Sequence, residues 1–232
     1  MNSETTMQAD RSGKIAKTVV YYVAFIALGL VSASLGPTLL ELAENTGSVL
    51  AQISYSFTAR SLGYLIGSSQ GGRVYDRLRG HPVQATMLLV MALTLCLAPL
   101  ATRLWLLIAI WLITGTAEGM LDVGTNTLLM WVHKDKVGPF MNGLHFFFGV
   151  GAFLAPIVAA QVMLLTDSVR WVYWVIALLV SPVSVLFFRL PSPPIEGHKE
   201  SDAPGRRGST ILVVCIALFF FLAVGIPLCH NK

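Results

Sequence analysis

An otherwise apolar stretch from Leu104 to Trp131 carries Glu118, Asp122 and Asn126 at i, i+4 and i+8. At about 100° per residue these side chains share one stripe of a helix. The stretch is long enough to cross a bilayer, and carboxylates held inside a membrane are costly. They turn to a protein interior or a watery cavity. Arg60 sits in a second such run and, like Glu118, about 12 residues from its cytoplasmic end, ~18 Å at 1.5 Å per residue. An Arg60–Glu118 pair would remove the cost of two isolated charges. A structural tie and a role in solute or ion handling both remain open for it. Asp122 and His145 also share a depth, so a neutral His145 could bond Asp122 or pass it a proton. Asn126 and Asn142 lie closer to the cytoplasmic end, able to bond solute hydroxyls or each other across helices. Gln52, Gln70 and Gln161 are weaker candidates. Phe146, Phe147, Phe148 and Trp111 read as packing residues or aromatic platforms. No Ser-His-Asp, metal-ligand or phosphate-loop pattern is present in the sequence, so neither an enzyme nor a metal site is expected.

These residues need membrane helices to hold them. Of 232 residues 55% are hydrophobic and 12% charged, with a mean hydropathy of +0.70. A soluble domain carries about 25% charge. Apolar runs of about 20 residues recur from end to end, which predicts a polytopic α-helical membrane protein. The expected spans are 18–40, 50–72, 83–101, 104–131, 138–164, 171–189 and 210–228. A polar tail, 1–17, precedes them, and a Pro-, Gly-, Ser- and charge-rich linker, 190–209, separates six spans (18–189) from the last segment, 210–232. No cleavage site follows the tail, so the first span is expected to double as the targeting signal. Cys96, Cys215 and Cys229 have no metal or redox spacing.

Twelve of the 16 Lys and Arg residues fall on the tail and the linkers after spans two, four and six. Arg103, Arg170 and Lys232 fall on the other side, with Arg60 inside a span. That asymmetry places the N-terminus in the cytoplasm and gives the net charge of +4 to topology, not to nucleic acid. Small residues echo between spans two and five: Gly63 with Gly151, Gly67 with Ala155, Gly71 with Ala159. They read either as an inverted repeat or as ordinary tight packing.

Between spans two and three runs G-G-R-V-Y-D-R-L-R-G-H-P, Gly71 to Pro82. It resembles the signature loop of the major facilitator superfamily, with Gly72, Asp76, Arg77 and Arg79 as its conformational-gating residues. Gly72 is expected to let helices approach, and Asp76 to hold a neighbouring helix by charge-assisted bonds. Arg79 departs from the pattern, since a Gly is usual there and Gly80 comes one later.

Within the superfamily the chain resembles the branch of fucose–proton symporters and sodium-dependent glucose transporters. Asp122 and Asn126 match an acid-x-x-x-Asn pattern in span four; Asn142 to Pro156 and Phe219 to Gly225 match the starts of spans five and seven. The resemblance implies an all-α fold: the six-helix N-terminal half of a major facilitator, two inverted three-helix repeats, plus a seventh span. It implies transport of a small polar solute such as a sugar across the plasma membrane. Alternating access would be coupled to H+ or Na+ at Asp122, with no other cofactor. Span one lacks the branch's acid. The ending I-P-L-C-H-N-K is unlike the family's continuation, so a truncated form missing its C-terminal half is expected. An inactive fragment or a seven-span receptor is the alternative, though a receptor would have the reverse orientation.

Overall fold

The computed structural model describes residues 3–194, with side chains from Ser12. Six long helices account for most of that range: α1 Ser3–Thr46, α2 Tyr55–Tyr75, α3 Gly80–Leu97, α4 Leu104–His133, α5 Gly138–Thr166 and α6 Val169–Arg189. Short helical turns at Leu50–Ile53, Ala98–Leu100 and Lys134–Lys136 join some of them. Helices satisfy every backbone group within the segment, which is why long apolar runs in lipid fold this way. Five of the six are long and apolar enough to cross a membrane. The exception is α2, where Arg60, Ser61, Ser68, Ser69 and Gln70 dilute the apolar run. The expected spans three to six match α3 to α6 to within a few residues. The earlier boundaries move: α1 already begins at Ser3, within the expected tail 1–17, and runs on to Thr46, and span two begins at Tyr55, after the turn at Leu50–Ile53. The expected seventh span, 210–228, and the linker beyond Pro194 lie outside the described residues.

The dominant pairings are α2 with α4, α1 with α5, and α3 with α6. Exchanging the first three helices for the last three leaves this pattern unchanged, as two related triplets require. The small-residue echo is the signature of that symmetry. A Cβ at Gly63 or Gly67 would strike the α4 carbonyls of Leu112 or Thr116, and one at Gly151 the α1 carbonyl of Ile26. Ala155 and Ala159 are likewise fully buried.

The signature loop needs a correction. Among the described residues a Cβ at Gly72 would meet nothing within 4 Å, so Gly72 mediates no approach between these helices. That role falls to Gly71, where a Cβ would lie 3.1 Å from the Val123 side chain. A one-residue step turns a helical side chain by about 100°, enough to move it from the interface to the outside. Asp76 ends α2, its amide bonding the Gly72 carbonyl at 3.0 Å. Its carboxylate makes no hydrogen bond among the described residues, and Asp76, Arg77 and Arg79 are all exposed.

Polar ties close both ends of the bundle. At one end Glu41 accepts a bond from the Val169 amide at 2.9 Å, capping α6 from α1. At the other, fully buried His81 bonds the Leu190 carbonyl through Nδ1 at 3.0 Å and the Tyr21 hydroxyl through Nε2 at 2.9 Å. A carbonyl only accepts, so Nδ1 carries the proton and Nε2 accepts from Tyr21. The His81 amide also bonds Ser192 Oγ at 3.0 Å, which fixes the start of the linker.

Candidate functional site

Helices α2 and α4 run parallel at a fixed register. Gly115 and Gly119 on α4 sit against the carbonyls of Arg60 and Tyr64, so no side chain separates the two backbones there. Residues 58 apart in sequence therefore face each other, twice in succession. On the first rung, Arg60 Nε donates to Glu118 Oε2 at 2.7 Å. On the second, one turn along, the Tyr64 hydroxyl donates to Asp122 Oδ2.

The two rungs differ in chemistry. Glu118 is fully buried and also accepts from Ser32 Oγ on α1 at 3.4 Å, while the Arg60 side chain keeps 20% exposure. That is a charge-assisted pair of the kind that compensates its own desolvation. Asp122 is half-buried, and its donors are neutral: Tyr64 on Oδ2 and Asn126 Nδ2 on Oδ1 at 2.9 Å. The Asn126 amide also bonds the Asp122 carbonyl at 2.9 Å. Asn126 thus turns back along its own helix; it does not cross to Asn142, which is exposed on α5.

Arg60, Tyr64 and Asp122 line one open cleft of ≈ 500 Å³. Its other wall comes from α1 and α5: Phe25, Leu28, Ser32 and Ala33 face His145, Phe148 and Ala152. His145 therefore shares the cleft with Asp122, but no hydrogen bond joins them among the described residues. The imidazole instead lies edge-on to Phe25, with ring centroids 6.1 Å apart. Pro37 and Pro156 sit inside α1 and α5 and each removes the helical bond to the carbonyl four residues earlier. Those carbonyls belong to Ala33 and Ala152, both in the cleft wall. One face of the cleft is polar and the other apolar and aromatic.

Of the four aromatic candidates only Phe148 lines the cleft. Trp111 is fully buried against Tyr173, Phe147 stacks on Tyr22 at 4.8 Å, and Phe146 is 67% exposed. Tyr64 is the site residue that the sequence reading passed over. The signal was available: with a single span, α3, between them α2 and α4 must run parallel, so the residue four past Arg60 meets the residue four past Glu118. Gln52 and Gln161 are exposed at the far end of the bundle and Gln70 is exposed on α2; none lines the cleft.

A family model described as the Major Facilitator Superfamily matches residues 21–229. The chain belongs to the Major Facilitator Superfamily. It is 31% identical to human sodium-dependent glucose transporter 1 over 90% of this chain and 48% of that protein. The rat protein of the same name is 37% identical over 68% of this chain and 33% of its own length. The Xenopus laevis one is 41% identical over 55% and 26%. The chain thus spans between a quarter and a half of the length of these curated relatives. Among solved structures, the nucleoside transporter NupG gives a TM-score of 0.68 at 18% identity, over 92% of this chain and 52% of that one. A peptide transporter, POT, in complex with sulfate gives 0.64 at 13% identity, over 90% and 46%. At those identities the likeness is one of fold alone. It sets the paired triplets of α1–α6 within the major facilitator architecture.

Proposed function

We propose that this chain forms the ion-reading half of a secondary transporter that moves a small polar solute, a sugar, by alternating access. The observation that carries the reading is the α2–α4 ladder. It holds an acid on neutral donors, in an open cleft, within a bundle of membrane helices. The names of the vertebrate relatives favour a sugar as solute and sodium as ion. Asp122 is the coupling acid, held by Tyr64 and Asn126. His145 offers a bond to solute hydroxyls, while Arg60 is held by Glu118. The loop of Gly72, Asp76, Arg77 and Arg79 governs closure at the cytoplasmic end. A second six-helix half supplies the facing wall, with 190–209 as the linker towards it and 210–228 as its first span.

The direct test is uptake by the full-length transporter carrying this sequence, reconstituted in liposomes. Saturable uptake of labelled glucose, inhibited by other hexoses and not by nucleosides or dipeptides, is the expected outcome. Inhibition by nucleosides or dipeptides with none by hexoses would sink the sugar assignment.

The reading places the protein in the plasma membrane with its N-terminus and signature loop in the cytoplasm, from the basic excess there. Arg79→Cys, in a background without other cysteines, is expected to resist membrane-impermeant thiol reagents on intact cells and to react after permeabilisation. Strong labelling of intact cells would reverse the topology.

A further inference from the structure

The charges along the ladder do not balance. Arg60 supplies one positive charge and Glu118 holds it at 2.7 Å. Asp122 is a second carboxylate, and both of its donors, Tyr64 and Asn126, are neutral. The α5 wall adds one titratable side chain, His145, without a bond to Asp122 among the described residues, and the α1 wall adds none. Among Arg60, Glu118 and Asp122, one negative charge is left over whenever the cleft closes and water leaves. A lone buried charge of that kind must be neutralised.

A fixed cation is already close. Arg60 lines the same cleft as Asp122, one helical turn away, and its partly exposed side chain has room to move. If it swung to Asp122, the site would need no ion at all. Glu118 prevents this. Fully buried and anchored by Ser32, it keeps the guanidinium on the first rung.

Resting on the transport reading above, we propose that Glu118 is a positioning residue that sequesters Arg60, so that Asp122 is left as a single charge which one monovalent cation, a proton or a sodium ion, neutralises in each cycle. The role of Glu118 is electrostatic bookkeeping at a distance; it does not itself take the ion. Two consequences separate this from a merely structural salt bridge. Removing Glu118 alone frees Arg60 to act as an internal cation. Removing both members of the pair restores the leftover charge, and with it the need for an ion.

The experiment uses the full-length transporter in liposomes, with solute counterflow measured beside uptake driven by a sodium gradient at fixed pH, or by a pH gradient without sodium. Whichever gradient drives the wild type identifies the ion. For Glu118→Gln, counterflow is expected to persist while stimulation by that gradient falls by ~10-fold or more, since Arg60 now biases the same equilibrium. For Arg60→Gln with Glu118→Gln, stimulation is expected to return to the wild-type level. The double variant is informative even if Glu118→Gln alone does not fold, because an ion bound by either member of the pair would be lost from it. Full stimulation in Glu118→Gln, or none in a double variant that still performs counterflow, would overturn the proposal. Failure of the underlying reading looks different. There, Asp122→Asn would still accumulate solute uphill, or the wild type would ignore both gradients.

Discussion

Arg60→Gln on its own should lower the stability of the detergent-extracted protein by ~3–5 kcal/mol, the cost of leaving a buried ion without its partner. Glu118 has no exposure, and once Arg60 is gone only Ser32 Oγ, at 3.4 Å, remains beside it. A single weak neutral donor does not replace a guanidinium at 2.7 Å. Adding Glu118→Gln to Arg60→Gln removes the stranded charge, so the double variant should recover most of the loss. Chemical unfolding in mild detergent, run on wild type, both singles and the double, measures the coupling directly. Strictly additive losses would mean that the pair does not stabilise the bundle. The expected single-variant losses are unequal. Glu118→Gln leaves Arg60 partly solvated and able to reach Asp122 within the same cleft, so it should cost less than Arg60→Gln.

That asymmetry was only half legible in the sequence. Depth along a helix follows from counting residues, and the common depth of Arg60 and Glu118 pointed to the pair found at 2.7 Å. The stripe of Glu118, Asp122 and Asn126 was legible for the same reason, since helical periodicity needs no tertiary information. Facing partners were harder. Asp122 and His145 share a depth, yet the Asp122 carboxylate is bonded by Tyr64 and Asn126, and His145 lies against Phe25. Depth fixes one coordinate; the rotation of each helix about its axis fixes the other, and only packing sets it. The glycines show both outcomes. Gly63, Gly67 and Gly71 echo small residues in span five, which reads as an inverted repeat or as tight packing, and each does meet α4. Gly72 was assigned from a loop motif, one position beyond Gly71, and it meets nothing among the described residues. Tyr64 was overlooked because a tyrosine in a membrane span blends into its aromatic and apolar surroundings, while its single hydroxyl matters only opposite an acid.

The residues that span two shares with no other helix explain a second feature. The α2 sequence is too polar to pass as a lipid-facing span, and only five of the six helices are apolar enough by composition. Part of its polarity belongs to the ladder: Arg60 and Tyr64 bond α4 and line the cleft, while Gly63 and Gly67 give α4 its close approach; Ser61, Ser69 and Gln70 are exposed. A functional helix in a membrane protein is thus marked by weak hydropathy, the opposite of the signal used to find spans.

The most direct measurement concerns Asp122, in the full-length transporter reconstituted in liposomes. Asp122→Asn is nearly isosteric and keeps a partner for the Tyr64 hydroxyl, but it makes the second rung permanently neutral. The transporter should then cross between its two states without an ion, because the charge that the ion neutralised no longer exists. Counterflow of labelled sugar should persist, while gradient-driven accumulation should fall to the level of empty liposomes. Undiminished uphill accumulation by Asp122→Asn, under the gradient that drives the wild type, would contradict the assignment of Asp122 as the coupling acid.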